Sequence, residues 1–337
     1  MAAMDRRTFL TRSAVAAGAV GAAAVVGGRI LRHPQERPWD EWAFAPPGTA
    51  RVAVLRATSY EAGLDGIVGD GLRAIGADVR GARVLLKPNL VEFDEETAIN
   101  TDPRLVAAAV VALRRMGAAD VVVGEGPGHR RDTQFVVTSS GLLAALDAVD
   151  ARFVDLNIDD IARVPLRSRY TALGALWLPR AITDADVVIS MPKMKTHHWA
   201  GLTLSLKNCF GCVPGRVYGW PKNALHWAGL EQAILDVAGA VRPDYAIVDG
   251  IVGMEGNGPI SGTPVASNVL VFGDDPVATD VIGARVMGFD PEKVSYLAEA
   301  ARFLGQGDMA RIRSEGEDVD DVTTDFTVLP RFASLKA

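Results

Sequence analysis

From about residue 51 onward, the apolar positions of the chain switch repeatedly between two periods. Short β-branched runs at 52–55, 83–86, 121–123, 152–155, 187–190, 245–248 and 269–272 read as strands. Between them lie Ala- and Leu-rich stretches with helical spacing at 62–75, 105–116, 142–148, 223–240, 277–287 and 292–303. Pro103 stands at one helix start and Gly117 at its end, the usual asymmetry of helix termini. Alternating strand and helix predicts a parallel sheet with helices on both faces. The run Asp186, Val187, Val188, Ile189, Ser190 is apolar on successive positions, which suits a strand covered on both sides. The expected fold class is therefore α/β, with long functional loops at the strand carboxyl ends.

The two ends of the chain read differently. Arg6 and Arg7 are followed by Thr8, Phe9 and Leu10, then by an apolar stretch of Ala, Val and Gly at 14–28. This fits a twin-arginine export signal. The stretch is shorter than the ~20 apolar residues needed to span a bilayer. Cleavage near Ala45, cleavage near Ala24 and no cleavage all remain open. The division expected is a signal segment at 1–30, a Pro-rich linker at 31–50, the α/β domain at 51–310 and a C-terminal tail at 311–337. The acidic stretch 315–321 reads as solvated. These features predict export by the twin-arginine translocase to a periplasmic or extracytoplasmic site, with membrane tethering if the leader is retained.

Composition narrows the partners. The 337 residues carry a formal charge of −6, with 49% hydrophobic and 23% charged residues. That balance argues against nucleic acid, because no surplus of Lys and Arg exists to neutralise a phosphate backbone. Cys209 and Cys212 are the two cysteines, so the chain has no self-contained four-cysteine iron–sulfur cluster.

Position is the most informative pattern. Lys87, Pro88 and Asn89 follow one expected strand, and Gly124 to His129 another. Pro192, Lys193, Met194, Lys195, Thr196, His197 and His198 follow a third. Asp249 and Gly250 open a long loop through Met254, Glu255, Gly256, Asn257, Gly258 and Pro259. Gly273, Asp274, Asp275 and Pro276 follow a fifth strand. Ligands of open parallel sheets bind outside the strand carboxyl ends, so five parallel strands would bring these segments to one edge. Lys87, Lys193, Lys195 and Lys207 would then form a positive cluster attracting a small anion, with Asn89, Asn208, Gly256, Asn257 and Gly258 beside it. The glycines either serve tight turns or let backbone amides approach a ligand. No Walker pattern is present, and Gly124–Glu125–Gly126 only partly resembles a dinucleotide fingerprint.

The acid–base and metal candidates follow from the same placement. His197 is the expected proton carrier, with Lys193 and Lys195 as catalytic partners; Asp249 or Glu255 orients it or holds a divalent metal. In an extended segment the side chains of His197 and His198 point opposite ways, so they are not expected to share a metal. His226 reads as structural, and His129 as a further site candidate. Cys209 and Cys212 have the spacing of a disulfide or a redox pair.

Together, Lys87–Pro88–Asn89, the 192–197 segment, Lys207–Asn208 with Gly211–Cys212, Asp249–Gly250, the 254–259 segment, and Asp275–Pro276 with Asp280 resemble the domain-of-unknown-function 362 family over about residues 51–287. The resemblance implies an α/β domain, sometimes fused to iron–sulfur modules, and no generally established reaction. This chain lacks the cysteine-rich module. Three functions stay open: an enzyme acting on a small anionic substrate, a carrier of a metal or cofactor, and an accessory to an iron–sulfur redox partner.

Overall fold

A computed structural model describes residues 37–61, 63–128 and 132–337. The expected export signal and His129 lie outside the described residues.

The strands are β1 (Ala50–Arg56), β2 (Arg83–Pro88), β3 (Asp120–Glu125), β4 (Arg152–Asp155), β5 (Ile161–Pro165), β6 (Ala175–Pro179), β7 (Val187–Met191), β8 (Lys193–His197), β9 (Gly201–Thr203), β10 (Tyr245–Asn257), β11 (Ser261–Gly273) and β12 (Ile312–Gly316). The main sheet has the order β12-β1-β11-β10-β7-β2-β3-β4, with β8 attached along β10 and β9 paired to β8. Pairings β10–β7, β7–β2, β2–β3 and β3–β4 are parallel, as the alternating pattern predicts. β5 and β6 form a separate antiparallel pair. Val84 and Leu86 of β2 join the core on one face, with the helices Leu64–Ala74 and Pro103–Arg115. Leu85 joins the core on the other face, with Leu230–Val241 and Pro276–Val286. The period of two in each strand is what divides one apolar run between two cores.

Five expectations are corrected. First, β11 runs antiparallel to both β1 and β10. Its carboxyl end therefore lies at the opposite edge from those of β2, β3 and β7. There Asp274 accepts from the backbone N–H and Nε of Arg51, and Asp275 caps the helix Pro276–Val286. The fifth polar segment is thus not part of the shared rim.

Second, the expected loop after Asp249 is the continuation of β10, hairpinned onto β11. At Gly253, Gly258 and Gly262 a Cβ would meet neighbouring backbone, at Gly258 only 2.1 Å from the Thr196 carbonyl oxygen, whereas Gly256 faces open space and takes φ 77°.

Third, the expected helix 223–240 is two helices, Asn223–Trp227 and Leu230–Val241, split where Gly229 takes φ 101°. That value is incompatible with a continuous right-handed helix.

Fourth, the linker ends earlier than expected. Trp39 and Phe44 are buried, and Trp39 stacks on Phe303 with ring centroids 4.9 Å apart. Fifth, the acidic tail supplies β12, which pairs in parallel with β1 through Glu315 and Gly316. An edge strand with one face in water tolerates charge, so its composition reads as a tail.

No described helix is long and apolar enough to cross a membrane.

Candidate anion-binding site

The parallel strands β2, β3 and β7 end together, and β8 leaves that edge immediately after Pro192. Above this edge lies a cavity of about 410 Å³, within the range of small-molecule sites of roughly 300–1,000 Å³. Lys195, His197, His198, Lys207, Lys222 and His226 line it, over a floor that includes Asn89, Glu125 and Asn208.

The floor is a saturated ion pair. Lys87 Nζ lies 2.6 Å from Glu125 Oε2 and also donates to Asn208 Oδ1 at 2.7 Å and to Pro88 O at 2.9 Å. Glu125 accepts in addition from the backbone N–H groups of Leu90 and Gly126. Both side chains are essentially inaccessible. Gly211 crosses so close to the pair that a Cβ there would sit 1.8 Å from Glu125 Oε1. Lys87 is therefore a buried foundation and not a free anion ligand. Asn208, which donates to Lys87 O and Ser190 Oγ, is structural in the same way.

Three lysines line the wall in different states. Lys195 donates to Ile99 O at 2.8 Å, and burial, reinforced by Lys193 and Lys207, pushes its ammonium well below the usual range. Lys222 donates to the carbonyls of Gly126, Phe210 and Gly211 at 2.6, 2.9 and 3.3 Å, and burial brings it down to about 8. Lys207 is half-buried. Among the described residues, it makes no hydrogen bond or ion pair; its Nζ rests 4.0 Å from the Phe210 ring centroid. Burial, with Lys222 and Lys87 nearby, pushes Lys207 down to about 7. Its helix, Ser205–Asn208, is anchored by Asp280, whose carboxylate accepts from the Ser205 and Leu206 N–H groups at 2.7 and 2.9 Å.

The histidines are set by their hydrogen bonds. His197 Nδ1 accepts from the N–H groups of Trp199 and Ala200, so the neutral ring carries its proton on Nε2. Burial, then Lys207, keeps that ring neutral by lowering its pKa. His197 is consequently a hydrogen-bond donor, not the expected general base. His198 and His226 each place Nδ1 on a carbonyl, of Gly258 and Lys222 respectively, leaving Nε2 able to accept. His197 and His198 do not diverge as expected: their rings stack at 5.0 Å, because the strand ends at His197 and a turn follows.

The remaining expected residues lie elsewhere. Lys193 is held by Asp249 at 2.7 Å, Tyr60 and Val252 O, and lines a separate hollow with Tyr60. Asp249 also accepts from the Tyr60 hydroxyl and the Asp102 N–H. Glu255 stands six positions after Asp249 on one strand, roughly 20 Å at ~3.3 Å per residue, so the two cannot share a metal. Glu255 instead accepts from the Thr327 N–H. No group of three metal-binding side chains occurs among the described residues. Gly256, Asn257 and Gly258 do not line the cavity; Pro259 and Ile260 do. Cys209 and Cys212 are free, buried thiols, not a disulfide, and burial raises both, Cys212 to about 12.

Sequence reasoning missed Tyr60, Glu125 as an ion-pair partner, Lys222 and His226. A carboxylate after the β3 run facing Lys87 after the β2 run was the one available signal.

Residues 84–285 match the family described as Domain of unknown function (DUF362). The chain belongs to this family. A relative, Thylakoid-associated protein sll1697 of Synechocystis sp., is 32% identical over 263 residues, covering 74% of this chain and 78% of that protein. Among solved structures, the lactate racemase apoprotein of Thermoanaerobacterium thermosaccharolyticum aligns at a TM-score of 0.47 and 14% identity. It covers 72% of this DUF362 chain, which spans 57% of the racemase. A protein from Thermotoga maritima aligns at 0.37 and 13% identity, covering 59% of this chain and 52% of its own.

Proposed function

We propose that the cavity binds a small anion and that the protein is an enzyme acting on it outside the cytoplasm. The observation that carries this reading is Lys207: an ammonium group in a cavity wall with no acceptor from the described protein. A half-buried ammonium against an aromatic ring has lost part of its hydration without gaining a counter-charge, and an incoming carboxylate or phosphate would supply one. Lys195 and the Nε2–H of His197 add donors. Thr203 Oγ1, in a lining residue, is buried without a hydrogen-bond partner, and its hydroxyl could donate to an added anion. His198 and His226 are the proton acceptors of this reading.

The test is calorimetric titration with inorganic phosphate, acetate and succinate. Saturable binding that Lys207→Met removes supports the proposal. Binding unaffected by that change, or none at all, refutes it.

Export is part of the same proposal. It rests on the Arg6–Arg7 leader pattern and agrees with the thylakoid association in the relative's name. The redox reading has less support, since both thiols are buried and held protonated.

A further inference from the structure

We propose that Lys207 is a nucleophile, and that the cavity takes a carboxylate bearing an aldehyde or ketone, which Lys207 captures as an imine. The inference deepens the anion-binding reading by naming a substrate class for that cavity, and it rests on that reading.

The three wall lysines separate by what holds them. Lys222 is tied to three carbonyl oxygens and Lys195 to one. Among the described residues Lys207, alone of the three, has no hydrogen-bond acceptor, so its Nζ can approach a bound molecule. The carboxylate of Glu125 on the floor is taken up by Lys87 and two backbone N–H groups. It is not available to fix a charge on Lys207. An amine crowded by other cations in a desolvated wall loses its proton readily, and an unprotonated lysine is the form that adds to carbonyls. The value of about 7 for Lys207 makes both forms available near neutrality.

The step balances without a cofactor. The Nζ lone pair attacks the carbonyl carbon, and the C=O π pair moves to oxygen, which takes up a proton. The resulting carbinolamine nitrogen loses one proton; its lone pair then forms C=N as the protonated hydroxyl leaves as water, and the iminium gives up its remaining N–H proton. Amine plus carbonyl gives imine plus water. His226 and His198 line the same cavity with Nε2 able to accept, and are the groups that would pass these protons. Lys195 and His197 Nε2–H would hold the carboxylate of the same molecule, which explains why a cavity already rich in donors keeps one amine unbound.

Borohydride trapping tests this. The full chain is incubated with pyruvate or glyoxylate, reduced with sodium borohydride, and mapped by peptide mass spectrometry. A single reduced adduct on Lys207 is expected, with yield rising as pH increases through about 7. It should be absent in Lys207→Arg, whose folding is verified by its thermal melt. Phosphate and acetate serve as probes without a carbonyl. If they bind in a Lys207-dependent way while no oxo acid gives an adduct, the nucleophile inference is overturned and the anion site stands. Adducts spread over surface lysines, or persisting in Lys207→Arg, overturn it equally. If neither probe class binds, both readings fall.

Discussion

Replacing Lys87 by Met removes the ammonium beneath the cavity while keeping most of the side chain's apolar length. Lys87 and Glu125 are 1% and 0% exposed. Once the ammonium is gone, the Glu125 carboxylate is left buried with only the Leu90 and Gly126 N–H groups, and Asn208 Oδ1 and Pro88 O lose their donor. Breaking a buried pair from one side costs roughly 3–5 kcal/mol. At ~2 °C per kcal/mol, the lower edge for large domains, the melting temperature should fall by roughly 6–10 °C. Urea unfolding followed by circular dichroism gives the free energy, and calorimetry gives the temperature. The double variant Lys87→Met/Glu125→Gln removes the uncompensated charge as well and should recover about half of the loss or more. A single variant that loses less than about 1 kcal/mol, or a double variant worse than the sum of its parts, would refute the account of a dry ion pair. Because Asn208 bonds Lys87 and follows Lys207, the single variant should also weaken anion binding.

Further outcomes follow from the same geometry. A protonated Lys207 adds its charge to the donors Lys195 and His197, so affinity for phosphate or acetate should fall as pH rises through about 7; titrations at pH 6 and 8 check this, and equal affinity would contradict it. The fold lowers the Lys207 pKa from 10.5 to about 7, so the unfolded chain binds more protons between those values, and stability should rise with pH across that window. Lys207→Met should flatten that slope in denaturant melts. Asp280→Ala leaves the Ser205 and Leu206 N–H groups unsatisfied and should cost roughly 1–3 kcal/mol, with weaker anion binding by calorimetry, whereas a displaced cap with unchanged binding would separate Asp280 from the site. Cys209 and Cys212 should resist a thiol reagent in the native state and react on unfolding; fast native labelling would contradict their burial. Lys–Lys in place of Arg6–Arg7 should abolish export of a folded reporter fused behind the leader.

Much of the layered order was legible because local periodicity reports it. The strands at 83–88, 120–125, 152–155 and 187–191 and the helix at 103–115 carry apolar runs whose period identifies the element type. Three of the polar segments that follow parallel strands, at Lys87, Glu125 and Lys195, do reach the same cavity region. The direction of β11 was not legible. An antiparallel strand buried on both faces has the same composition as a parallel one, so the Asp274–Asp275 segment was assigned to the wrong edge. Nor could the sequence distinguish loop from hairpin at 253–262, since glycine marks both turns and close backbone contact.

The chain alone determined the α/β class, the family motifs and the rim of β2, β3 and β7, because these depend on spacing between near neighbours. Only the tertiary structure decided which lysines are spent and which is free. Lys87, Lys193 and Lys207 look alike in one dimension, yet two meet carboxylates from distant strands at 2.6 and 2.7 Å and the third meets an aromatic ring. Charge compensation depends on separation in space, and partners 38 and 56 residues away in sequence become neighbours only when the sheet assembles.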